Sequence, residues 1–515
     1  MKRLVTPIIL VVLFAYSPAS MAQSMLAKRI QTIMDRPEFK HALFGIEIYS
    51  LDKGKVVYRV NADKLFTPGS TTKLLTEGTA LSLLGADFRF HTRIYRTGSI
   101  DVNGTLDGHV VLVASGDPNL SGRINPDDTL TFENEDHSYD GDPNTRAVPG
   151  DPLLVIRRLA QQIADKGIKR IHGNILVDTT MFREGARELG TGVVMSPIVV
   201  NYNIVDVLIT PGAAEGAPVT FKSSPVTSYV TFTSSATTGK PDSDPDIRLV
   251  TGPAYPDGRQ SVEIRGAFPA GKPSILFKYV VPLPSRFASI VLAEALREKS
   301  ITIDSQPVAP LDYLSASYVP EKLLAEHISP PFKEEIKVTL KVSQNLHASI
   351  TPLILGALLA PKNSDRTGFD LEHDFLTKAG LDTLGAQQAD GAGGNAHFTP
   401  EFMASYLTYM SKQKDFQVFY NALPILGRDG TLFDIQPQSP AAGSVHAKTG
   451  TFSNYDPLNR RLLVTGKGLA GYMTTRKGEH LAFAIYVNNV SVPTERDAVK
   501  KITGQALGEI AAAAY

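Results

Sequence analysis

The chain has 515 residues, 43% of them apolar and 20% charged. That length exceeds what one hydrophobic core usually organises, so two or three domains are expected. Its 52 basic and 52 acidic side chains cancel, which leaves no basic footprint for nucleic acid, and no such partner is expected.

At the start, Lys2 and Arg3 precede an apolar run from Ile8 to Phe14, and Ser20-Met21-Ala22 supplies a small-x-small site before Gln23. Residues 1–22 are predicted to be a signal peptide cleaved after Ala22, because the apolar run is too short to span a bilayer. No later run approaches membrane length, and without cysteine there is neither a disulfide nor a lipid thioether. The expectation is an exported periplasmic protein with no stable membrane anchor, stabilised by core burial.

Phe44 to Ser50 alternates, Asp52-Lys53-Gly54 turns, and Lys55 to Val60 answers as the second arm of a hairpin. Thr67-Pro68-Gly69 breaks the chain, and Ser70 opens a helical run through Leu74, Leu75, Leu81 and Leu84. Between Leu84 and about Pro273 the texture changes. Strand-like pieces (Arg89 to Tyr95, His109 to Ala114, Ile171 to Asp178, Ile204 to Thr210) alternate with loops rich in Gly, Pro and Asp around one helix, Leu153 to Lys166. This is predicted to be an inserted, β-rich region. Two helical runs follow, Lys333 to Lys341 and one from near Leu346. Strands are then expected at Val445 to Thr451, Leu469 to Thr474 and His480 to Val490, and a last helix from about Thr494. The simplest assembly is one antiparallel sheet built from both chain ends with helices on its faces.

Three short strings carry the chemistry. Ser70-Thr71-Thr72-Lys73 has the Ser-x-x-Lys pattern, which also occurs at Ser50 and Ser411 and is uninformative alone. Ser343-Gln344-Asn345 and Lys448-Thr449-Gly450 each occur once, 273 and 378 residues after Ser70. In this order they match the set used by penicillin-recognising acyl enzymes. Cleaving an acyl bond covalently needs a nucleophile, a base, oxyanion donors and a proton path to the leaving group. Ser70 and Lys73 are three apart and share a helix face, with Ser70 at the helix start where backbone N–H groups favour negative charge. Lys73 becomes a base only if burial or a second cation, such as Lys448, lowers its pKa. Ser343 and Asn345 are expected in an interhelical turn facing a cleft, the hydroxyl relaying a proton and the amide holding a substrate amide. Lys448 and Thr449, ending a strand, suit a terminal carboxylate. Gly450 keeps bulk away, and the Thr451 N–H joins that of Ser70 as an oxyanion hole. Each string alone also reads blandly, as a helix cap, an interhelix turn with Asn345 as N-cap, or a strand end with a glycine bulge.

With these strings in place, the chain resembles the class C low-molecular-mass penicillin-binding proteins, the D-alanyl-D-alanine carboxypeptidase/endopeptidases of peptidase family S13. Ser115-Gly116-Asp117-Pro118-Asn119-Leu120, Val205-Asp206-Val207 and Gly427-Arg428-Asp429-Gly430-Thr431 fit the same resemblance. It implies an α+β penicillin-binding/β-lactamase-like transpeptidase domain, residues 23–85 and 274–515, interrupted by inserted β-rich domains over 86–273. It also implies Ser70 as acylated nucleophile, Lys73 as base, Ser343 and Asn345 as the second motif and Lys448 to Gly450 as the third. Peptidoglycan stem peptides and β-lactam antibiotics are the implied partners, and no cofactor or metal is expected. Three departures stand out: Gln344 where Asp is common, expected to be peripheral; Ala392 in the Asp390-Gly391-Ala392-Gly393 string where the family has Ser; and a lengthened connection from Asp456 to Gly468. A serine β-lactamase, marked by rapid deacylation, is the nearest rival. A peptidoglycan-binding protein with a dead site is the rival from another class.

Overall fold

The computed structural model describes residues 18–134, 136, 145–305, 314–315, 317–495 and 497–515. Most of the expected signal segment therefore lies outside the described residues. From Pro18 the chain runs as one helix to Met34. Among the described residues no helix is long and apolar enough to cross a membrane.

Both chain ends build one antiparallel sheet, in the order Lys55–Val60, Leu43–Ser50, His480–Asn488, Arg461–Thr474, Val445–Asp456, with Val490–Val492 pairing Leu462 to Val464. Its register sets Ile46 opposite Ile485 and Lys448 opposite Ala470. Strand alternation divides the side chains between two cores. Ala482, Ala484 and Tyr486 join Leu74, Leu75, Tyr406 and Phe398 on one face. Leu481, Phe483, Ile485 and Val487 meet Leu26, Ile30, Leu507 and Ile510 of the two terminal helices on the other. This is the expected sheet with helices on both faces.

The helix Thr72–Leu84 is buried along its whole first ten residues, so it is a central element with no solvent stripe. Gly85, at φ +89°, ends it in a backbone region that side chains rarely adopt. Phe332–Lys341 and Asn345–Leu359 pack beside it.

The intervening region has its own core. His91–Arg96 pairs with Val110–Val113, which runs parallel to Ile175–Asp178. Two later strands also belong to these sheets: Thr302–Asp304 pairs Arg170–His172, and Leu323–Ile328 pairs His91–Arg96. Strands that lie after residue 273 thus pair with strands from within the 86–273 region. The expected strand from Ile171 to Asp178 is two strands parted at Gly173 and Asn174, because the first piece pairs with Thr105–Asp107 in one sheet and the second with Val110–Val113 in another. The Asp456 to Gly468 segment is not a loop. Both strands continue as a ladder to a turn after Asp456, bulged between Phe452 and Ser453, so the sheet projects beyond the third motif.

Phe66 ties the segment leading to Ser70 to the sheet: it is fully buried, lies 6.1 Å from the Tyr486 ring, and occupies the space that a side chain at Gly45 would fill. Phe66→Ala is expected to cost about 3–5 kcal/mol, read as a lowered urea midpoint for the catalytic sheet.

Candidate active site

Ser70 sits in a 3-10 turn, Gly69–Thr71, that leads directly into Thr72–Leu84. One helical turn on, Lys73 Nζ donates to Ser70 Oγ at 2.8 Å, to Asn345 Oδ1 at 2.7 Å and to the Ala392 carbonyl at 3.2 Å, and it lies 3.4 Å from Ser343 Oγ. From the sheet side, Lys448 Nζ donates to Ser343 Oγ at 2.8 Å and to the Thr449 carbonyl at 2.8 Å. The three strings therefore meet, and the Ser343 hydroxyl stands between two ammonium groups.

Ser343 lies between the helices Phe332–Lys341 and Asn345–Leu359 with φ +63°. A serine in this left-handed region costs about 1–3 kcal/mol and marks a position held by its surroundings. Asn345 is the first helical residue, and the N-cap is Gln344, whose side-chain oxygen accepts from the Leu346 N–H at 3.3 Å. Gln344 is buried, so the middle residue of this motif is a structural cap and not peripheral.

Both lysines are completely shielded from solvent. Burial pushes the Lys73 ammonium down to about 8, against the opposing pull of Glu188, Asp390 and Glu77. Lys448 is pushed well below the ordinary lysine range, by burial first and then by Lys73 and Lys467. The Lys448 side chain is fully buried and its ammonium is directed at Ser343.

Close backbone approach positions the third motif. A side chain at Gly450 would meet the Pro68 carbonyl at 2.0 Å and the Ser70 nitrogen at 2.9 Å. Gly69, at φ +53°, similarly has the Thr451 nitrogen 2.5 Å from where its Cβ would stand. The Thr451 and Ser70 amides thus lie at the same turn. Thr449 Oγ1 bonds Thr431 Oγ1 at 2.8 Å, and Asp429 of the same string accepts twice from Lys341. Thr431 as a site residue was not recognised from sequence; the Gly427-to-Thr431 string was its only signal. The Ala392 departure leaves the string's contact intact, because it is the backbone carbonyl that receives Lys73.

These residues open onto a cleft of about 550 Å³ lined by Ser70, Ser343, Asn345, Thr449 and Thr451. The insertion supplies another wall with Asn134, Gly190, Thr191 and Lys278. Gly190 lies so close to Asn345 that a Cβ there would reach its amide nitrogen at 2.4 Å. Behind this wall, His347 pairs with Glu335 at 2.8 Å and stacks on Tyr202, which is also bonded to the buried Arg123. His347 thus braces the helix that begins at Asn345 against the insertion.

Residues 26–507 match the model of the D-Ala-D-Ala carboxypeptidase 3 (S13) family. The chain is 25% identical to the D-alanyl-D-alanine carboxypeptidase of an Actinomadura species, covering 91% of this chain and 82% of that protein. It is 24% identical to D-alanyl-D-alanine carboxypeptidase DacB of Haemophilus influenzae, over 87% and 85%. The crystal structure of penicillin binding protein 4 (dacB) from Haemophilus influenzae superposes with a TM-score of 0.71 at 21% identity, covering 94% of this chain and 98% of that one, and shares its fold.

Gly450→Ala must push the strand off the Ser70 turn. It is expected to destabilise by about 1–3 kcal/mol, as overpacking does, and to lower the rate of Ser70 acylation at least tenfold, read by intact mass after exposure to benzylpenicillin.

Proposed function

We propose that this chain, which belongs to the D-Ala-D-Ala carboxypeptidase 3 (S13) family, is a periplasmic serine D-Ala-D-Ala carboxypeptidase that works through an acyl enzyme on Ser70. Its substrates are peptidoglycan stem peptides, and it uses neither metal nor cofactor. The observation that carries this reading is the 2.8 Å hydrogen bond from Lys73 to Ser70 at the point where all three motifs converge.

The neutral Lys73 amine takes the Ser70 proton as Oγ attacks the carbonyl of the penultimate D-Ala. The N–H groups of Ser70 and Thr451 stabilise the oxyanion, and Asn345 holds a substrate amide. As the C–N bond breaks, the departing nitrogen receives its proton through the Ser343 hydroxyl, which Lys448 and Lys73 both contact. Water then attacks the ester, Lys73 again taking the proton, and free Ser70 returns. Replacing terminal D-Ala by a cross-linked D-Ala amide leaves each step unchanged, so DD-endopeptidase activity belongs to the same proposal. β-Lactams acylate Ser70 as substrate mimics, and their opened ring keeps the leaving nitrogen tethered.

Brief and prolonged exposure to benzylpenicillin, followed by intact mass, tests this directly. A lasting adduct on the native protein and none on Ser70→Ala supports the peptidase. An adduct that clears quickly supports a β-lactamase instead. Turnover of a D-Ala-D-Ala pentapeptide should fall at least about a thousandfold in Ser70→Ala; no turnover by the native protein would leave a binding protein.

A pH profile follows from Lys73. Because its pKa is lowered to about 8, the neutral base is scarce at pH 6 and dominant above pH 8. Acylation by benzylpenicillin should rise about tenfold per pH unit below 8. A flat profile from pH 6 to 9.5 contradicts Lys73 as the base.

A further inference from the structure

One buried cation of the cleft has no part in the chemistry above. Lys467 lies on the strand Arg461–Thr474, opposite Thr451 in the ladder, and its side chain lines the cleft beyond the nucleophile. It is only 8% exposed. Its ammonium donates to Thr451 Oγ1 at 2.6 Å, and among the described residues no carboxylate lies within ion-pairing distance. The neighbouring Lys500 is paired with Asp434 and lies over the Phe433 ring, so its charge is already met. A buried, unpaired cation is costly unless something anionic completes it.

Thr451 points to the same ligand. Its oxygen accepts from the ammonium, so its own proton remains for another acceptor. Ammonium and hydroxyl together offer an anion two donors at the cleft end of the third motif. Lys448 offers no such surface, since it is turned to Ser343.

We infer that Lys467 is the cation that receives the carboxylate at the C-terminus of the substrate, and the carboxylate of a β-lactam, with the Thr451 hydroxyl as its second donor. This rests on the peptidase reading above. It moves the specificity for a free C-terminus from the lysine of the Lys-Thr-Gly string to the adjacent strand. The inference also gives Lys467 a pH signature. Burial first, then Lys500, lowers its pKa to about 8, while Lys448 faces it from the neighbouring strand and Asp434 offsets Lys500. Above that pH the carboxylate loses its partner.

The test compares acylation by benzylpenicillin with acylation by its methyl ester, followed by intact mass in the native protein, Lys467→Met and Lys467→Arg. The acid-to-ester ratio cancels Ser70 and Lys73 chemistry, which both compounds require. Lys467→Met should lower that ratio about 10- to 150-fold, the span of a hydrogen bond to a charged group, and Lys467→Arg should restore most of it. In the native protein the ratio should fall as pH passes through about 8, a measurement needing no variant. Equal loss on both compounds, or a native ratio that ignores pH, would overturn the inference and leave Lys467 a structural lysine. If the native protein is acylated by neither compound, the peptidase reading fails and this one falls with it.

Discussion

Lys73 and Lys448 bring two ammonium groups to one hydroxyl with water excluded, and most of the site can be understood as what makes that arrangement tolerable. Like charges in a dry site repel strongly, and each alone would resist burial. The surrounding acceptors are mostly neutral: Asn345 Oδ1, the Ala392 and Thr449 carbonyls, and the two serine hydroxyls. Among the described residues, the carboxylates acting on Lys73 are in the background, at Glu188, Asp390 and Glu77. Neutral dipoles satisfy an amine in either protonation state, whereas a direct carboxylate partner would fix the proton on Lys73 and remove its basicity. Glu77, one turn further along the helix, is itself pushed up to about 8 by burial and by Glu335, which softens its pull.

That arrangement demands that a helix start, an interhelical turn and a strand approach one another closely. The chain meets the demand with missing side chains. The turn Thr67 to Thr72 is flanked by Gly393, Gly450, Gly466 and Gly468, at each of which a Cβ would stand less than 3 Å from the turn. Ser343 adds a backbone twist that the flanking helices and Gln344 hold in place. Precision at Ser70 is therefore a property of backbone packing more than of the reactive side chains.

These facts explain what could be read in advance. Local signals were faithful: the hairpin after Phe44, the helix after Ser70 and the strand Ile204–Thr210 follow from periodicity and turn residues within a few positions. The strings that hold Ser70, Lys73, Ser343, Asn345 and Lys448, which converge in the structure, stood out because the spacing within each is short-range. What stayed hidden depends on long-range register. Thr431, Gly190 and Lys467 reach the cleft from separate elements; the Gly427-to-Thr431 string hinted at the first, and nothing adjacent in the chain announces the other two. The Asp456 to Gly468 segment was read as a lengthened connection by comparison with the family pattern, yet pairing with its partner strand makes most of it sheet. Likewise, Leu323–Ile328 joins a sheet of the 86–273 region only through its ladder with His91–Arg96.

The contact between Gly190 and Asn345 bears on any attempt to reduce this protein to a minimal enzyme. A chain shortened by joining the ends of the insertion would keep every motif residue and still lose a wall of the cleft. It would also strip Tyr202 from His347 and the backbone of residues 188–191 from the start of the Asn345 helix. The excised version would expose apolar surface along Phe332, Leu346 and Ile350, which now share a core with Val193, Val199 and Ile204. The segment from Val193 to Ile204 thus shares the interior of the helices that pack around the Ser70 helix.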